Sequence, residues 1–455
     1  MRYRSVIATL ASFGLGVGVM GLAPAVSGAA STAVLQDSST VATSTNAVAS
    51  TPAASSIDFN VGLQLSDPTG AVTLEEAVSN PTSPSYRHYL TPAQWEQRFS
   101  PSQASVSAVT SWLQSQGITV DAVTPDRMTI QATGSATAVA RAFGTTLKEY
   151  RHVGKLIRLA AKPLNVPSAL APLITGVTGV DQNAATDDHL TGAEVTPSAA
   201  TPSAAKAPVT EIPQPPGFRN AKPCSKTYGK KSDTTDPEYG GGFPDPLPYA
   251  VCGYTPPQLQ GAYGLTPQIA SGIDGKGVTV AIVDAYASPT LFADAQEYSE
   301  KNQPAQPLSS GQFSEMLSPK FNELELCEAS GWSGEQTLDV EAVHAMAPGA
   351  NILYMGAKNC VNGLYNSVQQ VVDGHLASII TDSWGDDGGD LLDSAGSRRG
   401  FDNILLMAAG TGIGVQFSAG DEGDEFALLG ITVADYPPSS PYATAVGGTS
   451  LQVGK

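Results

Sequence analysis

Between residue 250 and the end of the chain, short apolar runs rich in β-branched residues alternate with helical patterns. The runs read VTVAIVDAY, ANILYMGA, SIITDSWG, GVQFSAGDEG and TAVGGTSL. This alternation predicts strands joined by helices, and hence a parallel sheet with right-handed crossovers. Functional residues of such sheets gather at the carboxyl ends of the strands. Asp284, Ser383 and Asp421 all follow such runs, so we expect them near a site.

The segment from residue 57 to residue 182 shows short helices and strands mixed along the chain. Helical spacing occurs in PAQWEQRF, PSQASVSAVTSWLQSQG and ATAVARAFG, and strand-like runs in GITVDAV, DRMTIQAT and KLIRLAA. The mixture predicts a small α+β domain. Residues 30–56 are rich in Ser, Thr and Ala and are expected to be disordered. Residues 183–249 are expected to form a linker with a processing region, because they include TPSAATPSAAKAPVTEIPQPP.

The first 29 residues have the features of a secretory signal peptide. Arg2 and Arg4 supply the charged start, an apolar run covers Val6 to Leu22, and small residues allow cleavage after Ala29. An uncleaved membrane anchor is the alternative, because the apolar run is long for a signal peptide. We expect the protein to be secreted to the extracellular space, where disulfides form.

Four cysteines occur in the chain: Cys224, Cys252, Cys327 and Cys360. Their order suggests the pairs 224–252 and 327–360, although three connectivities are possible. A zinc site is disfavoured, because no CxxC spacing occurs and the five histidines are scattered. The residues themselves therefore assign no metal ligand.

The stretch SGEQTLDVEAVHAMAPGA, residues 333–350, predicts a helix that contains two acids. Ser333 and Gln336 have the spacing of a capping box, and Pro348 follows the last turn. Glu335 and Asp339 lie about 40° apart around the helix axis, on its apolar face. Like charges one turn apart repel and buried carboxylates are costly, so the pair indicates a functional carboxylate site. His344 lies on the opposite face, so a surface or packing role is expected for it.

The charges of the chain are few and unevenly distributed. The formal net charge is −18 and charged residues make up 15% of the chain, which argues against nucleic acid as a partner. Residues 320–455 contain 18 Asp and Glu against 5 Lys and Arg, whereas residues 141–162 contain six basic residues. We hypothesise that the basic strip docks on the acidic region; a solvated acidic surface is the simpler alternative.

Five stretches together resemble the sedolisin (serine-carboxyl peptidase) family. SNPTSPSYRHYLTPAQWEQRFSPS resembles its pro-kumamolisin-type activation domain, and YTPPQLQGAYGL resembles the start of its mature enzyme. SGEQTLDVE, FSAGDEG and SSPYATAVGGTSL follow in the family order. The resemblance implies a ferredoxin-like α+β pro-domain at residues 57–182 and part of a subtilisin-like α/β peptidase domain at residues 250–455. It also implies proteolysis of polypeptide substrates at acid pH, by a monomer that its own pro-domain inhibits.

The resemblance also implies roles for individual residues. Glu335 would be the general base toward a serine hydroxyl, and Asp339 would orient and support it. Asp421 would be the hydrogen-bond donor of the oxyanion hole, which a carboxyl can be only when it is protonated. Ser383, Trp384 and Gly385 would line the substrate cleft by pairing with an extended peptide. Asp284 would be a strand-end residue near the site and not the base.

One departure from the family pattern concerns the nucleophile. Ser450 fits an earlier, non-catalytic GGTS segment of the family, and only LQVGK follows it. The chain is therefore expected to be truncated, without its nucleophilic serine. The Ca²⁺ that the family binds near its C-terminus would have ligands beyond residue 455.

Two other classes of function stay open at this point. The chain could be a catalytically inactive product that acts as a binding or inhibitory pro-domain protein. A glycosidase with two carboxylates is disfavoured, because acids one helical turn apart do not flank a sugar on opposite sides.

Overall fold

The computed structural model describes residues 31–152, 154–182, 186–187, 254–389, 393–421 and 423–448, with the backbone alone for 186–187. The described residues from 32 onward belong to one compact unit. The predicted signal peptide, most of the predicted linker, Cys224, Cys252 and Ser450 lie outside the described residues. Within the described part of the chain, no helix has the length and apolar character needed to cross a bilayer.

The N-terminal domain (residues 32–182) is built on a four-stranded antiparallel sheet, in which the strand order is β4-β5-β3-β9. The sheet strands are β3 (Ser56–Leu63), β4 (Thr119–Val123), β5 (Thr129–Ser135) and β9 (Ile174–Thr178). The helices are α2 (Pro68–Ser79), α3 (Pro92–Phe99), α4 (Gln103–Ser115) and α5 (Ala136–Ala142). The core contains alternate residues of β3, namely Ile57, Phe59, Val61 and Leu63. An α+β N-terminal domain was predicted, and the described elements have that composition.

The remaining strands of this domain include some in a segment that we expected to be disordered. They are β1 (Thr32–Gln36), β2 (Ala49–Ser50), β6 (Leu147–His152), β7 (Lys155–Ala160) and β8 (Leu164–Pro167). A short helix, α1 (Thr40–Ser44), lies between the first two, and β1 pairs with β8 while β2 pairs with β6. The prediction of disorder for residues 30–56 is therefore wrong for residues 32–50. Pairing and the burial of Val41 against Tyr150 outweigh the polar composition.

The C-terminal domain (residues 254–448) is built on a six-stranded parallel sheet, as predicted. Its strand order is β12-β13-β11-β14-β16-β17. The strands are β11 (Thr279–Ala285), β12 (Phe313–Leu317), β13 (Asn351–Ala357), β14 (Ile379–Asp382), β16 (Gly414–Ser418) and β17 (Thr444–Val446). The carboxyl ends of β11, β14 and β16 therefore meet at one edge, which positions the candidate site.

Helices cover both faces of this sheet, so the domain has the mixed α/β architecture that was predicted. They are α6 (Pro256–Ala262), α7 (Thr266–Ala270), α8 (Leu291–Asn302), α9 (Trp332–Met346), α10 (Gly363–Gly374), α11 (Ala395–Thr411) and α12 (Phe426–Leu429). Ala281 and Val283 of β11 pack toward α10 and α11, while Ile282 packs toward α8 and α9. The alternation follows from the two-residue period of a strand.

The two domains pack closely through α10 and α11. A Cβ atom on Gly176 of β9 would lie 2.1 Å from the carbonyl carbon of Gly396, so only glycine permits this approach. Trp95 of α3 packs on Gly410 in the same manner and belongs to the core of the C-terminal domain. The interface is therefore closely packed and partly apolar, and glycines allow the two domains to approach at these points.

The disulfide between Cys327 and Cys360 is confirmed. Both cysteines are buried, and their Cα atoms are 5.7 Å apart. The bond links the segment before α9 to the segment between β13 and α10. It thus ties the start of the helix that carries the two candidate acids to the sheet.

Candidate active site

Helix α9 begins one residue before the predicted capping box. Gly331 is the N-cap residue, so Ser333 lies within the helix, where its Oγ donates to the carbonyl of Ser330 at 3.1 Å. The Gln336 amide instead accepts from the N–H of Ser288 at 2.7 Å and donates to the carbonyl of Ala285 at 2.9 Å. The predicted capping box is therefore wrong, because Gln336 bonds to the segment that follows β11.

The burial of Glu335 and Asp339 agrees with the helix pattern, but the opposite face is not solvated. Glu335 is 2% exposed and Asp339 is 9% exposed. Gln336 and His344 are also buried, whereas Leu338 is 48% exposed. The face opposite the two acids is buried because α6 and α8 cover a second side of α9.

His344 has the packing role that was expected for it. Its Nε2 atom lies 2.9 Å from the carbonyl oxygen of Gln306. Burial lowers the pKa of His344, and the bond to Gln306 opposes that shift only in part. A neutral, buried imidazole in this position supports the helix from the side away from the two acids.

Asp339 is the most fully characterised acid of the site. Ser383 Oγ donates to Asp339 Oδ1 at 2.8 Å. Burial raises the pKa of Asp339 to about 6, while the hydrogen bond from Ser383 and the interaction with Glu335 oppose the shift. Buried carboxyl groups one helical turn apart interact, so the titration of this pair belongs to both residues.

Two further buried acids lie at the ends of the strands beside this pair. Asp284, near the end of β11, is fully buried, and its charge adds to the effect of burial in raising the pKa of Tyr354. Asp382, at the end of β14, accepts from the N–H of Val283 at 3.2 Å. Burial raises the pKa of Asp382 well above its usual range, and the charge of Asp339 adds to the rise. The prediction that Asp284 lies near the site agrees with this placement.

Asp382 was missed by the sequence analysis. The available signal was an acid at the carboxyl end of an otherwise apolar run, in SIITDSWG. Ser383 and Trp384, which follow it, were assigned to a substrate cleft, and Asp382 itself was given no role.

In the segment Ser383–Gly385, the side chains of Ser383 and Trp384 contact the interior of the domain, while the backbone of Trp384 and Gly385 pairs with another strand. Ser383 bonds to Asp339, and Trp384 is buried with its Nε1 atom donating to the carbonyl of Val283 at 2.7 Å. The backbone of Trp384–Gly385 (β15) pairs antiparallel with Thr186–Asp187 (β10). Only the backbone of this segment can therefore pair with an extended peptide, and a segment of the same chain occupies that position.

Asp421 lies three residues after β16, at the same edge of the sheet as Asp382. Its side chain is exposed to solvent. The structure thus places Asp421 near the strand ends, as predicted, but outside the group of buried acids. Its suggested role as an oxyanion donor stays a prediction.

One group of acids has the spacing of a cation site. Carboxyl oxygens of Asp387, Glu425 and Asp435 all lie within 4.8 Å of one another, and Glu425 and Asp435 are buried. Carboxylate oxygens suit Ca²⁺, which takes six to eight oxygen ligands. Carboxyl groups are also found at this spacing without an ion, so the group alone assigns no metal site. The Ca²⁺ implied by the family resemblance has expected ligands beyond residue 455, which this geometry does not test.

Comparison with known proteins gives a consistent result. Residues 43–183 match the pro-kumamolisin activation domain. Kumamolisin from Bacillus sp. (strain MN-32) is 26% identical over 346 residues, which cover 75% of this chain and 53% of that protein. Sedolisin from Pseudomonas sp. (strain 101) is 26% identical over 402 residues, which cover 86% of this chain and 59% of that protein.

A solved structure of Pseudomonas sedolisin in complex with pseudo-iodotyrostatin aligns at a TM-score of 0.35 and 24% identity. The alignment covers 44% of this chain and 55% of that one. A TM-score of this size carries no argument about the fold.

The chain is thus similar to kumamolisin and sedolisin over most of its length, and its N-terminal domain matches the pro-kumamolisin activation domain. It spans somewhat more than half the length of the two relatives.

Proposed function

We propose that the protein is the secreted zymogen of an acid-acting serine-carboxyl endopeptidase. The observation that carries this proposal is the buried pair Glu335 and Asp339, in which Asp339 accepts a hydrogen bond from Ser383 at the end of β14. Carboxylate bases work best near their own pKa, so a pair of this kind suits catalysis in the acid range. The family relationship supplies the reaction class, the hydrolysis of peptide bonds.

The proposed mechanism assigns the proton transfers to Glu335 and supporting hydrogen bonds to Asp339 and Asp421. A serine outside the described residues attacks the peptide carbonyl carbon, and Glu335 accepts the proton from its hydroxyl. Asp339 hydrogen-bonds Glu335 and supports its charge changes. Asp421, when protonated, would donate a hydrogen bond to the negative oxygen that forms. The proton on Glu335 then passes to the leaving amine, and water hydrolyses the acyl-enzyme by the reverse sequence.

The activation domain is proposed to inhibit the peptidase in the same molecule. The pairing of Thr186–Asp187 with Trp384–Gly385 supports this proposal, because the strand occupies the backbone edge that an extended substrate would use. Thr186 lies only a few residues beyond the activation-domain match, which ends at residue 183. Removal of this strand would then be part of activation. Polypeptides are the proposed substrates of the activated enzyme.

The test is self-processing of the protein. After incubation at about pH 4, where carboxylates titrate, mass spectrometry should detect release of the activation domain. Glu335→Gln should abolish that release, because the general base is lost. Glu297→Gln is the matched control, since Glu297 is an exposed helical glutamate paired with Lys301, and it should leave release unchanged.

Two outcomes would count against the proposal. Equal release from Glu335→Gln and the unaltered protein would show that Glu335 is not the base. Absence of hydrolysis in the unaltered protein, together with tight binding to related peptidases, would favour the inactive inhibitory product.

A further inference from the structure

The end of β11 is held by side chains and not by the sheet ladder alone. Backbone pairing between β11 and β14 ends at Ile282 and Thr381. Beyond that point Asp382 Oδ1 accepts from the N–H of Val283 at 3.2 Å, and Trp384 Nε1 donates to the carbonyl of Val283 at 2.7 Å. The N–H and the C=O of Val283 are therefore hydrogen-bonded by side chains at the end of β14 and just after it.

Ser383 lies between these two residues and points its hydroxyl toward α9. Its bond to Asp339 means that three consecutive side chains join the end of β11 to the acid pair. Asp284 is the next residue after Val283, so the same contacts set the position of a second buried acid. A displacement of Asp382 would thus be transmitted to both sides of the site.

The surroundings of Asp382 favour a neutral carboxylic acid. Its side chain is 2% exposed, and Oδ2 makes no hydrogen bond within the described part of the chain. The titratable group that acts on it is Asp339 of α9, whose charge adds to the effect of burial in raising the pKa of Asp382. Ionisation of Asp382 would therefore place a like charge near Asp339 in a dry environment.

We propose that Asp382 is a positioning residue of this site, which acts as a buried neutral acid that fixes the end of β11 and keeps Asp339 dry and hydrogen-bonded. This role rests on the proposed function, because it matters for catalysis only if the Glu335–Asp339 pair reacts. Asp382 itself transfers no proton to the substrate. Its contribution is to maintain the low-polarity surroundings of the pair.

The test uses infrared difference spectroscopy on the full chain and requires no enzymatic activity. At pH 7 the spectrum should contain a protonated-carboxyl C=O band that Asp382→Asn removes. Asp37→Asn, which deletes an exposed carboxyl, is the control and should remove no such band. Retention of every protonated-carboxyl band in Asp382→Asn would overturn the proposal, because Asp382 would then be ionised.

A second measurement separates positioning from mere burial. The titration of Asp339, assigned through Asp339→Asn difference spectra, should keep its midpoint in Asp382→Asn, because asparagine retains the acceptor for Val283. In Asp382→Val the midpoint should shift by about one unit, since the N–H of Val283 loses its acceptor and the strand end beside the acid pair is displaced. An unchanged midpoint in Asp382→Val would refute the positioning role even if the first result held. Neither result depends on hydrolysis, so failure here is distinguishable from failure of the proposed function.

Discussion

Ser383 Oγ donates a hydrogen bond to Asp339 Oδ1 at 2.8 Å, across the gap between the end of β14 and helix α9. The bond connects a residue predicted to line a substrate cleft with a residue predicted to support a general base. The side chain of Ser383 therefore belongs to the acid pair, and only the backbone after it can pair with a peptide. This relationship can be tested through the ionisation of Asp339.

Ser383→Ala should raise the pKa of Asp339 further above about 6, because a donor that stabilises the carboxylate is lost. A hydrogen bond to a charged group contributes about 1.5 kcal/mol, which corresponds to about one pKa unit. Infrared titration of the Asp339 carboxyl measures the shift, and Ser383→Thr, which keeps a hydroxyl, is the control. Equal midpoints in the alanine and threonine variants would contradict the assigned bond.

Two contacts between the domains are expected to change in stability with pH in opposite directions. Asp58 of β3 pairs with Lys358, which follows β13, and accepts from Asn322 at 3.0 Å. Burial tends to raise the pKa of Asp58, but the bonds from Lys358, Thr133 and Asn322 outweigh it and lower the pKa. An acid with a lowered pKa stabilises the folded state above its usual pKa. That stabilisation is lost as the pH falls through the lowered value.

A double-mutant cycle on Asp58→Asn and Lys358→Met should therefore give a coupling free energy that depends on pH. We expect about 1 kcal/mol at pH 7, which is the size for a partly exposed pair, and close to zero at about pH 2. Denaturant unfolding of the full chain measures it. A coupling that is the same at both pH values would exclude the pair as an acid-sensitive contact between the domains.

Asp126 and Asp373 form a contact of the opposite kind. Asp126 lies in the turn between β4 and β5, and Gln369 of α10 donates to both of its carboxyl oxygens, at 3.1 and 2.9 Å. Asp373, one turn further along α10, hydrogen-bonds the Asp126 carboxyl. Burial raises the pKa of Asp373 to about 9, with the charge of Asp126 as the second cause and that of Glu96 as a smaller one. The interface is thus stable with Asp373 protonated.

Asp373→Asn should make the interface insensitive to alkaline pH. The raised pKa means that stability is fully present below the usual pKa of an aspartate and is lost as the pH rises through about 9. Hydrogen exchange of residues 363–374 should therefore show greater opening of the unaltered protein between pH 7 and pH 10, after correction for the intrinsic rate. The asparagine variant should show no added opening, and Asp37→Asn should behave as the unaltered protein does. The same increase in Asp373→Asn would mean that another group controls the opening.

The hypothesis that a basic strip docks on an acidic region is supported only in part. Lys155 contacts Glu328 across the interface at 3.7 Å, which has the expected polarity. Arg158, however, is buried and donates to the carbonyls of Gly179 and Val180 within its own domain. In the Asp58–Lys358 pair the acid belongs to the N-terminal domain and the base to the C-terminal domain, which is the reverse of the expected arrangement. Specific buried contacts, more than overall charge, therefore define how the domains meet.

The periodicity of the sequence predicted the elements that depend on it. Each of the five apolar runs of the C-terminal domain contains a strand of the parallel sheet, because a buried strand needs a continuous apolar run. The pattern also predicted the burial of Glu335 and Asp339. Both results follow from local spacing, which the sequence contains directly.

The features that were missed depend on contacts between distant residues. Residues 32–50 form strands and a helix only because β6, β7 and β8 are present to pair with or cover them. Gln336 is buried because its amide satisfies backbone groups after β11, 48 residues earlier in the chain. Asp382 joins the site only because β14 lies beside β11. Of these relationships, only that of Asp382 has a local signal, which is an acid at the end of an apolar run.

The central claim is that Glu335 and Asp339 act as one unit in peptide hydrolysis. The most direct test is kcat/KM for a peptide substrate at acid pH, measured with the activated protein. Glu335→Gln and Asp339→Asn should each lower kcat/KM, the former by about 10²–10⁴-fold. The double variant should lose no more than the more severe single variant, because residues that act as a unit are not additive. Losses that multiply in the double variant, or near-normal activity of Glu335→Gln, would contradict the account.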